Sequence, residues 1–110
     1  MRVINIPKGT GKSSGLLKYA NENGYAIIVS SVSKKNKLKD IALYEGYHNT
    51  SIYTVHEFLH GLHGARFSKD DKLCIDDMDE VLQEIVGFEI DTVTCSIPFE
   101  TRDFIEGEKA

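Results

Sequence analysis

A chain of 110 residues, 41% of them hydrophobic and 27% charged, is long enough for one compact domain and too short for two. The net charge of -4 provides no general basic field, so the totals do not support binding to nucleic acid or to an anionic membrane. No segment has the pattern of a signal peptide or a membrane-spanning helix, and we expect a cytoplasmic protein.

Short apolar runs alternate along the chain with segments of helical pattern. The runs are β-branched or continuously apolar, which predicts strands over 2–6, 25–30, 72–75 and 89–97. The helical periodicity predicts helices over 13–23, 34–44, 55–62 and 81–86. The segment 51–54 is ambiguous. This order predicts a single-domain α/β fold, with a mostly parallel sheet and helices on both faces.

Two minor features have ordinary structural interpretations. Cys74 and Cys95 each lie in an apolar, strand-like stretch, which predicts two small buried side chains rather than a disulfide or a metal pair. The basic run 34–39 is a local exception to the acidic total, and we interpret it as the solvated start of a helix.

A glycine-rich segment lies between the first predicted strand and the first predicted helix. The window Ile6-Pro7-Lys8-Gly9-Thr10-Gly11-Lys12-Ser13 follows the pattern G-x-x-x-x-G-K-[S/T], except that Ile6 stands at the first glycine. Glycines allow successive N–H groups to turn inward, and the new helix points the positive end of its dipole at the same place. We expect phosphate to be bound by Pro7, Lys8, Gly9, Thr10, Gly11, Lys12, Ser13 and Ser14.

Two of these residues have a specific predicted role. Lys12 is expected to reach the outer phosphates of a nucleotide, and Ser13 to offer its hydroxyl to Mg²⁺. A carboxylate at the end of another buried strand would complete such a magnesium site.

The run Leu73-Cys74-Ile75-Asp76-Asp77 has that form. We place Asp76 in the magnesium position and Asp77 where hydrolysing enzymes carry a water-orienting glutamate. Aspartate is one methylene shorter than glutamate, so binding is better supported than hydrolysis. Glu80 is a weaker candidate for the same role, because acidic residues near a helix start also serve as simple caps.

The last predicted strand carries hydroxyl groups. Thr94, or alternatively Ser96, is placed as a polar group that touches the γ-phosphate or the attacking water. Threonine is also simply a common strand residue.

The two motifs resemble the Walker A and Walker B motifs, and their arrangement is similar to that of compact P-loop ATPase-like proteins of bacteriophages and prophages. The resemblance covers about residues 2–97. It implies a sheet in which the two motif strands lie close together, with ATP and Mg²⁺ as the default ligands. We accordingly assign residues 1–98 to a nucleotide-binding domain and 99–110 to a charged C-terminal tail.

The resemblance leaves open whether the chain hydrolyses ATP. None of the three arginines, Arg2, Arg66 and Arg102, has a motif context. If hydrolysis needs an arginine, a second subunit or a partner protein would supply it. The leading hypothesis is an ATP-binding protein with weak or partner-stimulated, Mg²⁺-dependent ATPase activity. The alternative is an inactive interaction protein that retains the fold.

A second motif predicts a different class of protein. His56-Glu57-Phe58-Leu59-His60 matches H-E-x-x-H on a predicted helix, the pattern of zinc hydrolases in which the glutamate is the general base. His63 adds a third imidazole on a similar face. The same stretch carries a core stripe of Val55, Phe58, Leu59 and Leu62. We therefore interpret the histidines as surface residues beside that stripe.

Overall fold

The computed structural model describes residues 1–5, 11–47, 49–61 and 70–100. Strands and helices alternate in chain order: β1 (Val3–Ile4), α1 (Lys12–Asn23), β2 (Ala26–Val29), α2 (Val32–Glu45), β3 (Ile52–Thr54), α3 (Val55–His60), β4 (Leu73–Ile75), α4 (Met78–Val86) and β5 (Phe99–Glu100). The ambiguous segment 51–54 is therefore mostly strand.

The central sheet has three parallel strands in the order β3-β2-β4. Strand β2 lies in the middle, with Ile27 opposite both Ile52 of β3 and Cys74 of β4. Strand β1 pairs in parallel with β5 as a separate two-stranded sheet. These pairings confirm the predicted α/β class and the parallel strand direction. The strands of the two motifs, β1 and β4, nevertheless lie in different sheets rather than in the single sheet that the resemblance implies.

The pleat of β2 sends its side chains alternately to two faces of the sheet. Ile27 and Val29 belong to one buried cluster, which also contains Leu17 and Ala20 of α1 and Leu38 and Ala42 of α2. Ile28 belongs to a second cluster, with Val55 of α3 and Val81 of α4. Two helices therefore cover each face.

The residues at the helix ends explain why the helices begin and end where they do. Ser31 caps α2, because its hydroxyl accepts a 3.3 Å hydrogen bond from the backbone N–H of Lys34. Thr54 and Glu57 form a capping box, which starts α3 immediately after β3. Helices α1, α2 and α4 end at the expected glycines, Gly24, Gly46 and Gly87.

The predicted strand over 89–97 is wrong, because residues 87–98 contain no strand. The last strand is instead β5, which lies within the segment interpreted as a tail. Alternating residues show that a segment could suit a half-buried sheet, but a strand also needs a partner. Cys95 is consequently exposed, whereas Cys74 is buried as predicted.

The core stripe of α3 is narrower than its sequence suggests. Val55 is 3% exposed and Phe58 packs against the second cluster, but Leu59 is 57% exposed and does not belong to the core. Leu62 lies outside the described residues. Among the helices that the structure describes, none is both long and apolar enough to cross a membrane.

Candidate phosphate-binding site

The carboxyl ends of β2, β3 and β4 meet at one edge of the sheet because the three strands are parallel. The chain passes from β2 to β3 on one side, whereas β4 lies on the other side of β2. Helix α2, which follows β2, and helix α4, which follows β4, cover opposite faces. The chain therefore leaves β2 and β4 towards opposite faces of the sheet, and a crevice remains between the two connections at the strand ends. Open α/β sheets bind ligands in such a crevice.

A cavity of about 260 Å³ lies at this point. Three short segments contribute its walls: the start of α1, the first turns of α2 and the two residues after β4. The lining residues are Gly11, Lys12, Ser13, Ser14, Lys34, Lys37, Leu38, Ile41, Asp76 and Asp77. The structure thus brings together the described parts of the two sequence motifs.

The start of α1 is suited to an anion. Gly11 caps the helix with φ +80° and accepts a 3.0 Å hydrogen bond from the N–H of Gly15. An L side chain rarely adopts this backbone conformation, so the glycine is needed here. The first turn of α1 carries no acidic side chain. The positive end of the helix dipole is therefore not neutralised by a carboxylate of that turn.

Ser13 and Asp76 form the contact between the two motifs. The Ser13 hydroxyl donates a 3.0 Å hydrogen bond to the Asp76 carboxylate, and Asp76 is only 7% exposed. The Asp76 N–H extends the sheet by donating a 3.1 Å hydrogen bond to the carbonyl of Ile28. Burial raises the pKa of Asp76, although the Ser13 hydrogen bond opposes this effect.

Asp77 lies between two lysines. One of its carboxylate oxygens accepts a hydrogen bond from Lys12, and the other accepts one of 3.0 Å from Lys34. Burial alone would raise the pKa of Asp77, but the hydrogen bonds from the two lysines outweigh burial and hold it below the usual value. Asp77 adopts φ +58°, the left-handed region that few residues other than glycine enter.

Lys34 is the site residue that the sequence interpretation missed. It was assigned to a solvated basic run, yet its Nζ contacts both Asp77 and, at 3.3 Å, Glu80. The hydrogen bond to Asp77 raises the pKa of Lys34 more than its partial burial lowers it. The available signal was its position in the first turn of the helix after β2, because that helix begins at the edge where ligands bind.

Of the other residues predicted to bind phosphate, the structure describes only some. Ser14 lines the cavity and donates a 3.0 Å hydrogen bond to Glu45. Residues 6–10 lie outside the described part of the chain, and they include Ile6 and the predicted phosphate ligands Pro7, Lys8, Gly9 and Thr10. The structure therefore describes only the second half of the predicted loop.

Thr94 and Ser96 are exposed, and neither lines the cavity. The strand that was expected to bring Thr94 to the site is absent, so the structural reason for assigning it a catalytic role is lost. The guanidinium carbon of Arg2 lies 5.1 Å from the ring centre of Tyr19. Arg66 and Arg102 lie outside the described residues.

The H-E-x-x-H segment has a structural role. Glu57 accepts hydrogen bonds of 2.7 and 2.9 Å from Lys35 Nζ and one of 2.9 Å from the N–H of Thr54. These bonds occupy the carboxylate that a zinc hydrolase would use as its base. His56 and His60 are exposed, with ring centres 4.4 Å apart, and His63 lies outside the described residues.

The described residues include no cluster of three or more His, Cys, Asp or Glu side chains that could hold a metal ion. This finding bears on zinc sites more than on magnesium sites. Magnesium bound with a nucleotide needs only one or two carboxylates, because phosphate and water supply the remaining ligands.

Comparisons of the chain with models of protein families, with curated proteins and with solved structures found no match. A functional assignment therefore has to depend on the geometry of the site and on the two motifs.

Proposed function

We propose that this chain binds a nucleoside triphosphate together with Mg²⁺ in the cavity at the start of α1. The observation that carries the proposal is the hydrogen bond between Ser13 and Asp76, which are 63 positions apart in the chain. The two residues belong to separate motifs, and both motifs assign their residue to the same magnesium ion. Their hydroxyl and carboxylate oxygens are the type of ligand that Mg²⁺ prefers.

The residues that line the cavity have complementary roles in this proposal. Lys12 contacts the outer phosphates, and the N–H groups of the first turn of α1 bind phosphate oxygens. Ser13 and Asp76 hold the metal ion. Bound Mg²⁺ would neutralise phosphate charge and give the buried Asp76 carboxylate a cationic partner.

The resemblance to compact phage P-loop ATPase-like proteins makes ATP the default ligand and a P-loop NTPase-like fold the default architecture. The cations and N–H groups that line the cavity support a phosphate-containing ligand, whereas the pairing of β1 with β5 in a separate sheet departs from that architecture. Strand β1 ends just before the glycine-rich segment, and the cavity is lined by the start of α1, by α2 and by the two residues after β4.

Weak or partner-stimulated hydrolysis is part of the proposal, with Asp77 as the residue that positions the attacking water. In the present arrangement both carboxylate oxygens of Asp77 are bound to lysines, one to Lys12 and the other to Lys34. Hydrolysis therefore requires Asp77 to leave at least one lysine. The same pairing favours the alternative of a non-hydrolysing interaction protein, in which nucleotide serves as a structural ligand.

A binding titration tests the proposal. The protein, its Lys12→Ala variant and a Lys39→Ala control are titrated calorimetrically with a non-hydrolysable ATP analogue in the presence of Mg²⁺. Lys39 is an exposed residue of α2 outside the cavity, so its loss removes one positive charge without touching the site. We expect Lys12→Ala alone to abolish binding. Equal affinities in all three proteins would refute the assignment.

A turnover assay separates the two versions of the function. Phosphate release from ATP is measured with and without candidate protein partners or DNA. A non-hydrolysing interaction protein releases no phosphate in any condition. Release that needs both Mg²⁺ and Lys12 supports the ATPase.

A further inference from the structure

We infer that Lys34 is a second phosphate-binding cation of this site, and that the Asp77 carboxylate occupies the position of a phosphate group until a ligand arrives. The inference rests on the proposed function and extends it to a residue outside both motifs. Its basis is the convergence of Lys12, from α1, and Lys34, from α2, on the two oxygens of one carboxylate.

The arrangement around Asp77 is that of a small anion held between two ammonium groups. The carboxylate is enclosed, with only 5% of the side chain exposed, and it lies in the wall of the predicted phosphate cavity. A terminal phosphate group offers three oxygens and more negative charge than a carboxylate. It can therefore bridge the same two ammonium groups and form stronger charge-assisted hydrogen bonds with them.

Lys34 is held at the cavity by more than Asp77. Its backbone N–H is bonded to the Ser31 cap, which fixes it in the first turn of α2. Its ammonium group also lies 3.3 Å from Glu80, whose other carboxylate oxygen accepts a 3.4 Å hydrogen bond from Ser30. Release of Asp77 therefore leaves Lys34 beside the cavity, with its charge available to a ligand.

Two consequences follow for the proposed function. Lys34 supplies within the same chain a second cation of the kind that was expected from a partner's arginine. In addition, a triphosphate must displace Asp77 before it can use both lysines, because the carboxylate binds both of them in the ligand-free site. The expected ligand class is one with a terminal phosphate that reaches beyond Lys12.

The test compares Lys34→Ala, Lys34→Met and Lys34→Arg with Lys39→Ala, the exposed control on the same helix. Each protein is titrated with a non-hydrolysable ATP analogue and with ADP, in the presence of Mg²⁺. We expect Lys34→Ala and Lys34→Met to bind the triphosphate about tenfold more weakly, and the diphosphate with a smaller loss. Lys34→Arg should restore most of the affinity, because it keeps the charge.

The outcomes separate this inference from the proposed function. If the unmodified protein binds neither nucleotide, both fail. If it binds and depends on Lys12, while Lys34→Met binds as tightly as Lys39→Ala, the function stands and the role of Lys34 is overturned. Equal losses for triphosphate and diphosphate would also overturn it. Thermal melting without ligand identifies any variant that is unfolded, and Lys34→Met retains most of the apolar stem that Lys34→Ala removes.

Discussion

The Ser13 hydroxyl donates a 3.0 Å hydrogen bond to the carboxylate of Asp76, joining the first turn of α1 to the end of β4. Asp76 is buried, and desolvation is the largest influence on its pKa. A buried carboxylate is unfavourable for folding unless a cation or several donors compensate it. The contact is therefore better explained by ligand binding than by stability, and this difference can be measured.

Asp76→Asn should stabilise the ligand-free protein, because it removes a charge whose burial is unfavourable. The pKa of Asp76 in the folded state is raised from 3.8, so the folded protein binds more protons than the unfolded chain between the two values. Its stability therefore decreases as pH rises through that window, and the loss persists at neutral pH. We expect the Tm of the variant to be higher than that of the unmodified protein at pH 7.

Thermal melting of Asp76→Asn at several pH values checks this expectation. The difference in Tm between Asp76→Asn and the unmodified protein should become smaller as pH falls below the range between the unfolded-state and folded-state pKa of Asp76. Asp79→Asn is the matched control, because Asp79 is an exposed carboxylate in the first turn of α4. The control should leave the Tm unchanged or slightly lower. A decreased Tm in Asp76→Asn would mean that the carboxylate stabilises the fold.

Asp77→Asn should bind a triphosphate about fivefold more tightly than the unmodified protein, since removal of the carboxylate charge frees Lys12 and Lys34 for the ligand. Asparagine has nearly the same shape and tolerates the left-handed conformation at φ +58°. Calorimetry with a non-hydrolysable ATP analogue measures the change. Weaker binding would show that Asp77 assists the ligand and does not compete with it.

The same variant should be less stable without ligand. The pKa of Asp77 is lowered from 3.8, so its contribution to stability is present above that value and is lost as pH falls through the folded-state pKa. Asp77→Asn removes this contribution at neutral pH. Its Tm should therefore fall, and the opposite signs expected for Asp76 and Asp77 provide an internal check on both.

Lys35→Ala should destabilise the fold by about 2 kcal/mol without weakening nucleotide binding. Lys35 makes two hydrogen bonds to Glu57, which is 8% exposed, so its removal takes two hydrogen bonds and a positive charge from a buried carboxylate. Denaturant unfolding measures the loss, with Lys39→Ala as the exposed control. A change below 0.5 kcal/mol, the usual limit for surface positions, would contradict the structural role of the pair.

The purified protein should contain no stoichiometric zinc, and a chelator should not change its Tm. The reason is that the described residues include no group of three or more His, Cys, Asp or Glu side chains that could hold a metal ion. Elemental analysis and melting with and without chelator provide the measurements. A chelator-sensitive Tm that becomes insensitive in His56→Ala would support the zinc site.

The sequence predicted the positions of Ser13 and Asp76 because each lies at a junction between strand and helix that a motif marks. Each position follows from a local pattern. Their contact depends in addition on the packing of α1 against the central sheet, because β1 and β4 lie in different sheets. The glycines that end α1, α2 and α4 were predictable for a similar reason. Each acts within one turn of its own helix.

Lys34 and Thr94 show where local patterns fail. A run of lysines at a helix start has the composition of a solvated surface, and only the pairing of β2 with β4 brings Lys34, in the helix after β2, to Asp77, which follows β4. Thr94 was assigned to a strand because the residues of 89–97 alternate as they do in strands. Such alternation shows that a segment could form a strand, but the strand also needs a partner, which the sequence does not specify. Both errors arose because the position of the residue depends on contacts between segments that are distant in the sequence.

The most direct test of the account is a calorimetric titration of the unmodified protein and of Asp76→Asn with a non-hydrolysable ATP analogue, each with and without Mg²⁺. We predict that Mg²⁺ tightens binding to the unmodified protein at least about tenfold and that Asp76→Asn loses this enhancement. No binding by the unmodified protein, or the same effect of Mg²⁺ in both proteins, would contradict the account.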